Sequence, residues 1–181
     1  SHQTNEHLKA SAPLLLTLWT MLLNACLKTG LLASQWRSSI VVALYKGKGP
    51  VNTPGNYRGI ALLCTIFKVL TSLLNKRVMR EVHDQLPPEQ YGFRPDRGTR
   101  DAVNVLLGFL KNAVLEKGKA YVAFVDFEKA FDSVDRPSLL NKLRTEFDIR
   151  GSTLRLTSTI LDTNRITVLD GLRKSAEIPQ N

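Results

Sequence analysis

An apolar run that ends on a charge constrains this chain more than any other feature. Tyr121-Val122-Ala123-Phe124-Val125 is made of β-branched and aromatic side chains that fit a pleated surface, and Asp126 stands at its end. The pattern predicts a buried strand with a carboxylate at its tip. Desolvating a charge is costly, so such a carboxylate needs a hydrogen-bond donor, a cation or a metal ion. Phe131 and a second acid, Asp132, follow, and Asp135-Arg136-Pro137 reads as a helix cap with proline in the first turn. The predicted unit is strand, short acidic turn, helix.

A strand ending in Asp also describes a P-loop NTPase or a phospho-acceptor domain. The full run through Phe131, Asp132 and Asp135 is more specific. It resembles the first catalytic motif of reverse transcriptases, in the form seen in non-LTR retrotransposons. In that family the strand-end Asp binds the catalytic magnesium ions, and an aromatic residue five positions later screens the sugar 2′-position; Asp126 and Phe131 have that spacing. The resemblance implies that Asp126 is catalytic and metal-binding. It also implies that the Phe127 backbone carbonyl serves metal and nucleotide, and that Phe131 excludes ribose.

Composition agrees with a nucleic-acid partner without proving one. The chain has 181 residues and 43% hydrophobic content, enough for a domain with a real core. A net charge of +9 and a pI of about 9.8 are expected to attract polyanions, although a solubilising surface explains charge alone equally well. Cys26 and Cys64 each sit in an apolar helical pattern without a nearby Cys or His, which predicts buried free thiols and no zinc site. The longest apolar run, 12–23, is broken by Thr17 and Thr20, so it reads as a core helix and not a membrane span.

Leu8, Ala12, Leu15, Trp19, Leu22 and Cys26 recur at helical steps and predict a helix over 5–28, stopped by Gly30. Strands over 37–46 and 57–63 flank Gly47-Lys48-Gly49-Pro50, a hairpin with Lys46, Lys48 and Arg58 near its mouth. A helix over 64–84 turns Phe67, Leu70, Leu74 and Val78 inward and Lys68, Lys76, Arg77 and Arg80 outward. Pro87-Pro88 stops it. The stretch 89–102 interleaves glycine, aromatics and Arg94, Arg97 and Arg100. Aromatic faces stack on bases and arginines hold phosphates, so this suits a nucleic-acid track. The competing explanation is that Tyr91 and Phe93 plug the core. Thr99 is expected to cap a helix over about 100–116, with Ala102, Val105, Leu106, Phe109, Leu110 and Val114 inward and Gly118 as its stop. Helices over 137–147 and 152–162 and a hairpin around Asp170-Gly171 complete the chain.

The resemblance extends to these segments. Reverse transcriptases grip the triphosphate with a Lys and an Arg on the fingers hairpin, which implies nucleotide contacts for Lys46 and Arg58. Asn56-Tyr57-Arg58-Gly59-Ile60 is similar to the family's Tyr-Arg-Pro-Ile pattern; Gly59 in place of proline is expected to loosen the backbone while keeping the Arg. Gln90-Tyr91-Gly92-Phe93-Arg94 is similar to the motif before the catalytic strand and implies that Phe93 and Arg94 lie close to the template. The implied fold is α/β (α+β), the fingers and palm of a right-hand polymerase, with helices and antiparallel strands. Its implied parts are 1–36, an N-terminal helical extension; 37–86, the fingers hairpin and helix; 87–135, palm with the first catalytic motif; and 136–181, a second fingers segment.

The family's Asp-Asp hairpin, Gln-Gly motif and thumb have no counterpart in this sequence. The chain therefore reads as truncated before them and is expected not to polymerise by itself. Asp132 and Asp135 are expected to tie the turn and cap the helix. The implied parent activity is RNA-directed DNA synthesis during retrotransposition, in the nucleus or cytoplasm. It would use an RNA template, a DNA primer, deoxynucleoside triphosphates and Mg2+. The alternative is a non-catalytic nucleic-acid-binding scaffold.

Overall fold

The computed structural model describes residues 5–128, 130–162, 165–170, 173–175 and 178–179. They form two units, one made of 1–78 and 136–181, the other of 79–135. Helices are α1 (Asn5–Thr29), α2 (Thr65–Val82), α3 (Thr99–Lys117), α4 (Arg136–Thr145) and α5 (Gly151–Asp162). Strands are β1 (Ser38–Tyr45), β2 (Tyr57–Leu62), β3 (Arg165–Asp170), β4 (Arg173–Lys174) and β5 (Ile178–Pro179).

The first unit holds the hydrophobic core. Cys26 and Leu27 of α1, Leu32 and Trp36 of the linker, Ile66, Phe67, Leu70 and Leu74 of α2, and Leu156 of α5 pack together. The α2 face is the predicted one. The α1 face is shifted: Trp19, Leu23, Cys26 and Leu27 face the core, while Leu15 and Leu22 are 36% and 40% exposed. Leu8 and Ala12 lie outside the residues whose side chains are described. Periodicity locates an apolar stripe, but the neighbouring helix decides which edge of it is covered. Gly30 ends α1 at φ 76°, and a Cβ there would come within 3.1 Å of the Arg155 Cβ, so glycine serves both the turn and the approach to α5. Cys26 is a buried free thiol whose pKa burial pushes up, while free Cys64 is only half-buried.

Leu70 is fully buried at the centre of this core. Leu70→Ala is expected to destabilise the chain by about 3 kcal/mol, through lost transfer energy and the cavity left behind. A denaturant midpoint that hardly moves would show that the core does not close around it.

The sheet runs β2-β1-β3-β4, with β5 also on β3. The β1–β2 pair is antiparallel, from Ile40↔Leu62 to Tyr45↔Tyr57, as the hairpin pattern requires. The β3–β4 pair is antiparallel with Asp170 opposite Arg173; Gly171 of that turn lies outside the described residues. Among the described residues β1–β2, β3–β4 and β3–β5 are antiparallel, so the sheet is mostly antiparallel as expected, while β1–β3 is parallel from Ser38↔Arg165 to Val42↔Leu169. The long connection through the intervening helices lets the chain return in the same direction.

The second unit corrects the most prominent expectation. Tyr121–Val125 forms no strand, and it is exposed: Tyr121 at 90%, Phe124 at 85% and Val125 at 82%. Its composition favours a sheet, but a strand exists only with a neighbour to exchange hydrogen bonds, and all the strands among the described residues belong to the first unit. In α3 the cap is Gly98, not Thr99; its N–H donates to Asp101 Oδ2 at 2.7 Å, the half of a capping box that a glycine can make. The half-buried face of α3 is Ala102, Leu106, Leu110 and Ala113; Val105, Phe109 and Val114, expected inward, are exposed. Gly118 stops the helix at φ 70° as predicted, its N–H donating to Val114 O at 2.8 Å. No described helix is long and apolar enough to cross a membrane.

Candidate nucleotide and template site

The β1–β2 hairpin carries the two expected triphosphate contacts. Lys46 follows β1, and its N–H donates to Asn56 O at 2.8 Å, closing the loop. The loop is tied from inside: Asn56 Nδ2 donates to Pro50 O at 2.8 Å, Tyr57 Oη to Val51 O at 2.7 Å, and Tyr45 Oη to Gly49 O. The Tyr45 and Tyr57 rings meet at 5.5 Å. Lys46 Nζ donates to Gly55 O at 2.8 Å, which parks the ammonium at the mouth. Arg58 is exposed on β2 opposite Leu44. Gly59 does not loosen the strand. It sits in register with Ala43, and a Cβ there would come within 3.0 Å of Val41 Cγ1, so the site takes a bare backbone held in the ladder.

In the second unit, the arginine-rich stretch folds back on the turn before it. Arg94 is buried and donates through Nη1 to Pro87 O at 2.9 Å, more weakly to Leu86 O at 3.5 Å, and through Nη2 to His83 O at 3.2 Å. Arg97 Nη1 donates to Pro88 O, and its guanidinium lies 5.7 Å from the Tyr91 ring centroid. The reason is local: helical structure ends at Gln85, two prolines follow, and the carbonyls there need donors from elsewhere. Arg94, expected beside the template, is in this structure taken up by its own chain. Nothing in the local sequence pattern reveals such a clamp.

Phe93 does not plug the core. It is 88% exposed, its φ is 60°, and its ring meets that of Phe131 edge-on at 6.3 Å, with an interplanar angle of 80°. Phe131 lies in the turn after Asp126 and is 82% exposed; Ser133 Oγ donates to Glu128 O at 3.4 Å across that turn. Lys129 of the same turn lies outside the described residues. One expected template residue and the expected sugar-screening residue are thus in contact.

Asp126 is exposed at the start of this turn, next to Phe127. Its carboxylate and the Phe127 carbonyl are hard oxygen donors of the kind Mg2+ takes, but Mg2+ calls for an octahedron of oxygens. Among the described residues no group of three or more His, Cys, Asp and Glu side chains could hold a metal ion. The two donors fit part of a magnesium site and not the whole. A cleft of about 600 Å3 in the first unit, between the end of α1, α4 and α5, is lined by none of the expected site residues.

Residues 46–180 match the family described as reverse transcriptase (RNA-dependent DNA polymerase). The chain is 31% identical over 130 residues to the RNA-directed DNA polymerase from mobile element jockey of Drosophila melanogaster, covering 70% of this chain and 14% of that protein. It is 36% identical over 125 residues to a putative 115 kDa protein in the type-1 retrotransposable element R1DM of the same species, covering 67% of this chain and 12% of that protein. A probable RNA-directed DNA polymerase from transposon BS of that fly is 28% identical over 145 residues, 79% of this chain and 16% of that protein. The chain thus spans about a seventh of the length of the curated relatives it matches. With a family match over most of its length, and relatives drawn from mobile elements of the non-LTR kind, the chain belongs to the reverse transcriptase family in its LINE-type branch.

Proposed function

We propose that this chain is the nucleotide- and template-handling part of an RNA-directed DNA polymerase that copies RNA into DNA during retrotransposition. One observation carries the reading: Asp126 and Phe131 stand exposed on a single turn, within the stretch matched to the family. A carboxylate that can share a metal ion with substrate phosphates and a bulky ring on the same turn are what a sugar-selective nucleotidyl transfer needs.

The charged groups have separate tasks. Lys46 and Arg58 would meet the triphosphate. The ammonium supplies a point charge and exchanges the Gly55 carbonyl for a phosphate oxygen, and the guanidinium can hold two oxygens at once. Asp126 and the Phe127 carbonyl would be two of the oxygens around Mg2+, which when bound offsets charge on the reacting phosphate. The remaining ligands would come from the family's Asp-Asp hairpin. Phe131 would occupy the space that a ribose 2′-hydroxyl needs.

The test is sugar selectivity in a polymerase where this segment is joined to a downstream Asp-Asp hairpin. Phe131→Ala is expected to raise ribonucleotide use relative to deoxynucleotide use by about a hundredfold, the order of discrimination that pocket shape alone supplies. The readout is the ratio of kcat/KM values on an RNA template. An unchanged preference removes the role from Phe131. A binding scaffold without catalysis predicts no extension in the same assay.

A further inference from the structure

We propose that Phe93 is a positioning residue for Phe131 and thereby helps to set the choice between deoxyribose and ribose. The inference rests on the reading of Phe131 as the residue that excludes the 2′-hydroxyl.

Two independent observations converge on Phe93. The first is its backbone: a φ of 60° is a left-handed conformation that a bulky side chain adopts only when something holds it there. Gly92 precedes it and could take that conformation without cost, yet the positive angle falls on the phenylalanine. The second is what the angle achieves. It turns the ring outward to 88% exposure and onto the edge of Phe131, in the T-shaped geometry that aromatic quadrupoles favour.

Arg94 explains how the strain is sustained. Immediately after Phe93, its buried guanidinium is fixed on the carbonyls of Pro87 and His83. With that anchor set, the backbone beside Phe93 is held and its ring is presented to Phe131. Phe131 sits in an exposed turn, 82% accessible, and its ring meets the edge of Phe93. A ring that discriminates between a hydrogen and a hydroxyl must be held to a fraction of an ångström, because a pocket that can yield will admit the larger group. Phe93 would supply part of that hold.

The experiment compares variants in a polymerase that carries this segment and the Asp-Asp hairpin. The readout is the ratio of kcat/KM for deoxynucleotide over ribonucleotide, with kcat and KM resolved for each. Phe93→Gly removes the ring and accepts the left-handed backbone without strain, so it leaves the local fold in place. It is expected to lower the ratio by about three- to tenfold, the factor one edge-on aromatic contact is worth, mainly through a lower KM for the ribonucleotide. Phe93→Tyr keeps the ring and is expected to retain the wild-type ratio. In the background of Phe131→Ala, Phe93→Gly should add nothing further, because there is no longer a ring to position.

If Phe131→Ala relaxes selectivity while Phe93→Gly leaves it unchanged, the positioning role is overturned and the reading of Phe131 survives. If Phe131→Ala itself has no effect, the reading of Phe131 fails and the inference falls with it. Equal loss in Phe93→Gly and Phe93→Tyr would also overturn the proposal, since the contact would then not be what matters. So would full additivity of the two truncations.

Discussion

Asp126→Ala is expected to abolish primer extension on an RNA template, lowering the rate by about a thousandfold or more, in a polymerase that contains this segment and the family's downstream carboxylates. The magnitude follows from charge. Metal stabilisation of a reacting phosphoryl group is worth several kcal/mol, and each 1.36 kcal/mol is a factor of ten in rate. Removing one carboxylate from a shared site weakens ion binding and misplaces what still binds. Asp126→Asn has nearly the same shape and lacks the charge, so it is expected to fail almost as badly. That separates electrostatics from packing. Folding should be indifferent to both changes, because Asp126 is exposed and lies in neither helix nor strand. Unaltered melting together with lost extension is therefore the expected signature. Asp132→Ala, one residue past Phe131, is expected to stay within several-fold of the parent. Extension that persists within tenfold in Asp126→Ala would sink the assignment, and with it the use of this turn as a metal-binding corner.

The parts of the structure that were legible in the sequence are those set by neighbours along the chain. Steps of three and four among Phe67, Leu70, Leu74 and Val78 located α2 and its buried face, and Gly30 and Gly118 marked where α1 and α3 stop. The basic hairpin followed from two β-rich runs around a glycine-proline break. What failed depended on partners distant in sequence. Tyr121–Val125 has strand composition, yet a strand is a relation between two segments, and no partner pairs with it among the described residues. The parallel β1–β3 pairing could not be seen because nothing local to either strand encodes direction. The inward edge of α1 moved from Leu15 and Leu22 to Leu23 and Leu27 because α2 and α5 decide which side is covered. Site residues divide in the same way. Asp126 and Phe131 were expected from the resemblance of one continuous motif, whereas the ring contact between Phe93 and Phe131 joins two motifs that the sequence presents separately.

Arg94 was the least legible residue, and its removal should disturb folding more than any other single change in the second unit. Sequence context grouped it with Arg97 and Arg100 as a phosphate-binding arginine; the structure buries it against backbone. Only Val82 and Arg94 are buried among the described residues of that unit, so an electrostatic clamp takes the place of a hydrophobic core there. Hydrogen bonds from a charged donor contribute about 1.5–3 kcal/mol each. Their sum is not additive, and Arg94→Ala is expected to cost about 4 kcal/mol for the local opening of residues 83–98. The loss would appear as faster amide exchange in this stretch and early proteolytic cleavage near Pro88, with the α1–α2–α5 core still protected. Arg94→Lys should rescue little, because a single ammonium cannot reach both the Pro87 and His83 carbonyls as the guanidinium fork does. If Arg94→Ala instead left exchange unchanged and only weakened RNA binding, the residue would be a phosphate contact after all. The hold on Phe93 would then have to come from elsewhere.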